Sequence, residues 1–290
     1  MGAPCPPRRR GARGRRRPTL CSSNEETSHD QESEKVNQTP TATVDPTSIA
    51  RIDHDEAMQI TAIENRKFAE LMESLSPTQW STPTECTLWD VRAMAAHLVG
   101  SAASQASPRE FFRQKRGGKP ICKELGSPFW WDGMNELQVR ERASATTEQL
   151  ISEWTTVSAK ALKSRTKMPR PIAGLKLLNL PEPVGRQPLS YLFDIGFTRD
   201  VWAHRIDIAH AIAVEPDHDA AHDGRILADI IAEWAATHGE PFTLVLDGPA
   251  GGTFVHGIGG EEVHIGVVDF VRTLAERTTA SGVLRHTLPL

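Results

Sequence analysis

The chain has 290 residues, 39% of them hydrophobic and 24% charged, with a formal net charge of −4. That is the composition of a soluble globular protein with room for two ordinary domains, or one domain and a tail. The weakly acidic balance gives no bulk reason to expect nucleic acid, and no run of about 18 apolar residues is present to span a membrane. Four cysteines, Cys5, Cys21, Cys86 and Cys122, stand apart without a Cys-x-x-Cys spacing. This argues against a zinc ribbon or a disulfide framework and for a reducing, cytoplasmic setting. Cys86 reads as a buried small residue rather than a nucleophile.

Residues 1–50 are predicted to be a disordered tail. The first twenty hold seven arginines and no acid, and the next stretch is polar, acidic and turn-rich, so neither has the apolar surface to offset ordering entropy. No apolar segment follows the arginines, which excludes a secretory signal. From Asp53 the pattern becomes helical, with Ile60, Ile63, Phe68, Leu71 and Leu75 on one face. A proline-marked loop then leads to a second helix, expected to start near Thr87 with Thr87 and Asp90 as a capping box. Residues 107–129 read as a long loop. "WWDGMNELQVRERASATTEQLISEWTTVSAKALKSR" predicts one or two helices, and "LSYLFDIGFTRDVWAHRIDIAHAIA" a fourth long one. After Pro216 a helix over 223–238, three short alternating runs bounded by glycine, and a closing helix predict a small sheet with helices. The fold class is therefore α+β: a helical bundle over 53–215 followed by a small α/β domain over 217–290.

Asp200 and His204, four residues apart in "RDVWAHRIDIAH", stack on one helix face and aim a carboxylate and an imidazole at one point. Phe193, Phe197, Val201, Ile208 and Ala211 share that face, which turns it inward. In the second helix His97 projects from a stripe of Ala93, Gly100, Ser101 and Ser104, small enough to leave room beside it. His97, Asp200 and His204 together supply three N/O donors, the complement of a catalytic zinc site with one position open. On spacing alone a satisfied core histidine explains His204 equally. Asp207 is an alternative ligand or a group that orients His204, and Arg205 suits pairing with a surface acid. His218 and His222 form a rival i, i+4 pair that reads as a solvated helix start. Asn135 and Gln138 share one side of the third helix and either bind a polar ligand or lie on its exposed surface.

"WSTPTECTLWDVRAMAAHLVG", "DGMNELQV", "YLFDIGFTRDVWAHRIDIAHA", "DGRILADIIAEWAATHGEPFTLVLDGPAGGTF" and the closing "DFVRTLAER" and "GVLRHTLPL", in this order over residues 54–290, resemble the mycothiol-dependent maleylpyruvate isomerase family. The resemblance implies a DinB-like four-helix bundle with the family's C-terminal domain. It implies a divalent metal, typically zinc, on His97, Asp200 and His204, with Asp200 where the characterised isomerase has glutamate. It implies mycothiol as thiol cosubstrate and a small-molecule electrophile as partner; Asn135 and Gln138, from their place on the third helix, are the candidate residues for binding them. Family members end the last helix with Gly-Arg, here Glu276-Arg277, which makes Arg277 the candidate catalytic residue at the pocket mouth. The implied activity is thiol transfer or thiol-assisted cis–trans isomerisation. A zinc hydrolase that activates water and a non-catalytic metal- or ligand-binding module are the other classes, and oligomeric state is left open.

Overall fold

The computed structural model describes residues 43–182 and 184–290. Helix α1 (His54–Ser74) starts at Asp53, whose carboxylate accepts from the Glu56 amide, and buries Phe68 and Met72. Helix α2 (Val91–Ala106) is capped by Asp90 itself, which accepts from Ala93 N at 2.8 Å. Its start therefore lies four residues later than expected, because the carboxylate caps better than the Thr87 hydroxyl. The stretch expected to be a loop is helix α3 (Pro108–Leu125), with proline in its first turn, where no amide partner is needed, and Gly126 in the left-handed stop position at φ 66°. Two helices follow, α4 (Trp130–Glu141) and α5 (Thr147–Thr166), the second opened by a Thr146/Gln149 capping box. Gly118 and Gly133 let α3 and α4 meet backbone to backbone. A Cβ on Gly118 would lie 2.6 Å from Met134 N, and one on Gly133 would lie 2.2 Å from Gly118 O.

A short helix α6 (Arg170–Ala173) and the hairpin β2 (Leu178–Asn179) and β3 (Arg186–Gln187) lead into the element expected as the fourth long helix. That element opens as π-helical turns over Tyr191–Gly196 and continues as α7 (Phe197–Ala211). The Phe193 carbonyl in those turns accepts from the buried Arg165 guanidinium at 2.6 Å. Helix α8 (Asp223–His238) and strands β4 (Phe242–Asp247), β5 (Gly252–His256) and β6 (Glu261–Gly266) coincide with the predicted segments. Helix α9 (Val267–Leu274) closes the pattern. With β1 (Thr43–Val44) at one edge, the four-stranded sheet has the order β1-β5-β4-β6, with β4 antiparallel to β5 and parallel to β6.

Strand β1 (Thr43–Val44) pairs parallel with β5, Pro46 is buried, and Ile49 and Ile52 pack on the core. Residues 43–50 are thus ordered, which corrects the expected tail boundary at 50: their few apolar side chains find a ready-made sheet edge. The remainder of the expected tail lies outside the described residues.

Two apolar cores form, and α7 serves both. Trp202 and Ile206 join the core of α8, α9 and the sheet, while Val201 and Ile208 join that of α1, α2 and α5. Every residue from Phe197 to Ala209 is buried. The charges on α7 are therefore paired, as burial demands. Arg199 meets Asp229 and Glu233, and Arg205 meets Glu64 and Asp223. The surface partner expected for Arg205 is replaced by these interior acids.

Candidate functional site

α2 and α7 pack together and bring His97, Asp200 and His204 to one point. All three are buried, with 1%, 3% and 0% of their surface exposed. His97 Nε2 lies 3.5 Å from Asp200 Oδ2, and His204 Nε2 lies 3.7 Å from Asp200 Oδ1. The two imidazole rings stand perpendicular, with centroids 5.4 Å apart. Neither His97 Nε2 nor His204 Nε2 has a hydrogen-bond partner among the described residues. One donor atom from each of the three residues falls within 4.8 Å of the others. Two bare imidazole nitrogens facing a carboxylate are a donor set for a divalent cation. An orphaned buried pair is otherwise costly.

The far nitrogen of each imidazole is held. His204 Nδ1 and Asp207 Oδ2 are 2.9 Å apart, and Arg277 donates to both oxygens of Asp207, at 3.0 and 3.3 Å. Burial alone would raise the Asp207 carboxyl, but the Arg277 charge and the His204 hydrogen bond outweigh it and hold it at about 2. Asp207 therefore orients His204, the second of its two expected roles. The Arg277 side chain is buried against Asp207 and meets the triad through it, not at an open pocket mouth as expected. His97 Nδ1 faces Gln138 Oε1 at 2.8 Å. The Trp89 indole stacks on the His97 ring at 5.0 Å and donates through Nε1 to Glu136.

Asn135 and Gln138 are buried, not on an exposed helix surface. The Gln138 amide is occupied at both ends, by His97 and by Gln114, whereas Asn135 Nδ2 has no hydrogen-bond partner among the described residues. The small-residue stripe on α2 is filled as well: a Cβ on Gly100 would lie 2.5 Å from Gln138 Cβ. It admits α4 to the site rather than leaving a void. Cys86 is buried, and its sulfur groups with His204 and Asp207. No spacing rule points to Trp89, Gln114 or Cys86: Cys86 and Trp89 come from the loop that precedes α2, and Gln114 from α3.

The rival histidines behave differently. His222 is buried and bonds Glu64 at 2.8 Å, and His218 is half-buried, so neither is a solvated helix start. Glu64, His222 and Asp223 form another potential ligand group, but Arg205 and Lys67 already neutralise its carboxylates. That cluster is an interior ion-pair network joining α1, α7 and α8.

A family model described as the mycothiol maleylpyruvate isomerase N-terminal domain matches residues 61–209, which include His97, Asp200 and His204. A crystal structure of the mycothiol-dependent maleylpyruvate isomerase is similar, with TM-score 0.49 and 16% identity over 79% of this chain and 92% of that one. The structure of a histidine-to-alanine mutant of that enzyme gives TM-score 0.49 and 14% identity over 78% and 90%. Among curated proteins there is no match. The family model covers more than half of the sequence, and the chain belongs to the mycothiol maleylpyruvate isomerase N-terminal domain family.

Proposed function

We propose that this protein is a metal-dependent enzyme that uses mycothiol, either transferring the thiol to a small electrophile or assisting cis–trans isomerisation of an unsaturated acid. The observation that carries the reading is the pair of bare, buried imidazole nitrogens, His97 Nε2 and His204 Nε2, set against the Asp200 carboxylate. Two neutral imidazoles and one carboxylate suit zinc and leave a net positive charge at the ion. When bound, such an ion favours mycothiol as its thiolate and lowers the thiol pKa. The chain need not provide a cysteine nucleophile, and Cys86 stays a buried neighbour of His204. Asp207 and Gln138 keep the two rings turned inward, and the Trp89 face closes the His97 side and limits water there. Asn135, with a free buried amide donor one turn from Gln138, is the polar group best suited to an acidic or carbonyl oxygen of the electrophile.

The test is turnover of a generic electrophile, such as a bimane reagent or a halogenated aromatic, by the full chain. Turnover is expected only with mycothiol and metal together, with glutathione a poor substitute. Asp200→Ala should abolish it and Asp200→Glu retain part. Turnover at a comparable rate with water alone would replace this reading by a zinc hydrolase, and none over a wide panel by a binding module.

A further inference from the structure

His97 is tied to the protein surface by a one-directional row of amides. Glu110, on the outer side of α3, takes two hydrogen bonds from Arg113, at 2.8 and 2.6 Å. That contact holds its carboxyl down at about 2, so Glu110 accepts and does not donate. Gln114 is fully buried and places its Nε2 2.9 Å from Glu110 Oε1 and 3.0 Å from the Gly100 carbonyl. Both of those neighbours accept only, so the Gln114 NH2 must face them and its Oε1 must face inward. Gln138 Nε2 then donates to Gln114 Oε1 at 2.8 Å, which leaves Gln138 Oε1 to face His97 Nδ1 at 2.8 Å. Turning either amide over would set oxygen against oxygen, at Glu110 and Gly100 or between the two side chains. Such a clash would leave buried polar groups unpaired, which is costly away from water.

We infer that Gln138 and Gln114 are positioning residues that fix the tautomer of His97, with its proton on Nδ1 and a bare lone pair on Nε2 directed at Asp200 and His204. The device spans α2, α3 and α4, and Gly100 makes it possible, since any side chain there would displace Gln138. The two imidazoles are consequently unequal. His204 leans on an anion, Asp207, and is the stronger donor; His97 leans on a neutral amide and is the weaker one. The tautomer follows from the hydrogen bonds alone, whereas its effect on metal affinity rests on the metal reading of the site.

The test is 15N NMR of the metal-stripped, histidine-labelled full chain at about pH 8, above the ordinary imidazole range, paired with zinc affinity by competition against a chelator. Wild-type His97 should show protonated Nδ1 and unprotonated Nε2. In Gln138→Met the ring should drift toward the Nε2–H form that free imidazole side chains prefer. Zinc affinity should fall by about 10–100-fold. Gln114→Met, which touches no triad residue, should shift both readouts in the same direction by less, and it stands in if Gln138→Met does not fold. A wild-type His97 protonated on Nε2, or a tautomer unchanged in both variants, overturns the inference. The expected tautomers in a chain that binds no zinc would uphold the relay and reject the metal reading alone.

Discussion

Glu276 sits at φ 58°, in the left-handed region that costs a side chain roughly 1–2 kcal/mol. It occupies the turn that ends α9: Glu276 N bonds Thr273 O at 3.1 Å and Arg277 N bonds Arg272 O at 2.8 Å. This is the double hydrogen bond of a helix stop that normally takes glycine. The family's Gly-Arg pairing thus has a physical reason, because the turn aims the arginine back at Asp207. Glu276→Gly should raise stability by about 0.5–1 kcal/mol, even with the loss of the Thr287 hydrogen bond to its side chain. A thermal midpoint unchanged or lowered in calorimetry would contradict that account. At this scale the Asp200–His204 pair was legible in the sequence, since four-residue spacing on a helix needs no tertiary knowledge, whereas His97, on another helix, was tied to it firmly only by the family resemblance. The roles of Gln138 and Arg277 were not legible. Each depends on a partner, His97 or Asp207, that only the packing of separate elements brings within reach.

Strands β4, β5 and β6 and helix α8 were readable because alternation and glycine boundaries are local signals. Helix α3 was missed because Pro108, Gly117, Gly118 and Pro120 look like loop residues in isolation. In the folded chain the first proline begins the helix, and Gly118 is required by contact with α4. The burial of α7 from Phe197 to Ala209 was hidden for a related reason: Arg199, Arg205 and Asp207 mimic a solvated face, and their partners Glu64, Asp223, Asp229 and Arg277 come from other elements. The N-terminal strap offers a test at this scale. A chain beginning at Ser48 loses β1 and the buried Pro46. It should lose about 2 kcal/mol of stability and about 4–8 °C of melting temperature relative to the full chain. An unchanged melting temperature would mean that the strap only rests on the sheet.

Across the whole molecule, acid should loosen the α8–sheet side before the interior ion pairs of α7 are protonated. Burial, followed by the nearby His286 and His256, pushes His238 down to about 4, and its Nδ1 accepts from the Glu240 amide at 3.0 Å. The unfolded chain takes up this proton near pH 6.5 and the folded one only near 4, so stability falls as pH drops through that window. His54, raised by its hydrogen bond to Asp194, works in the opposite direction and loses its contribution as pH rises through its folded value. Melting temperature should therefore decline by several degrees between pH 6.5 and 4.5. His238→Gln, whose amide can still accept from Glu240, should flatten the decline; an equally steep one would assign it to other groups. The shape of the site was within reach of the sequence, but its chemistry turns on what fills it. The most direct measurement is zinc-edge X-ray absorption of the loaded full chain before and after mycothiol is added. The account predicts only nitrogen and oxygen neighbours at about 2.0–2.1 Å beforehand, and one added sulfur at about 2.3 Å with mycothiol. Sulfur present before the thiol is added would place Cys86 on the metal, and none afterwards would contradict thiolate capture.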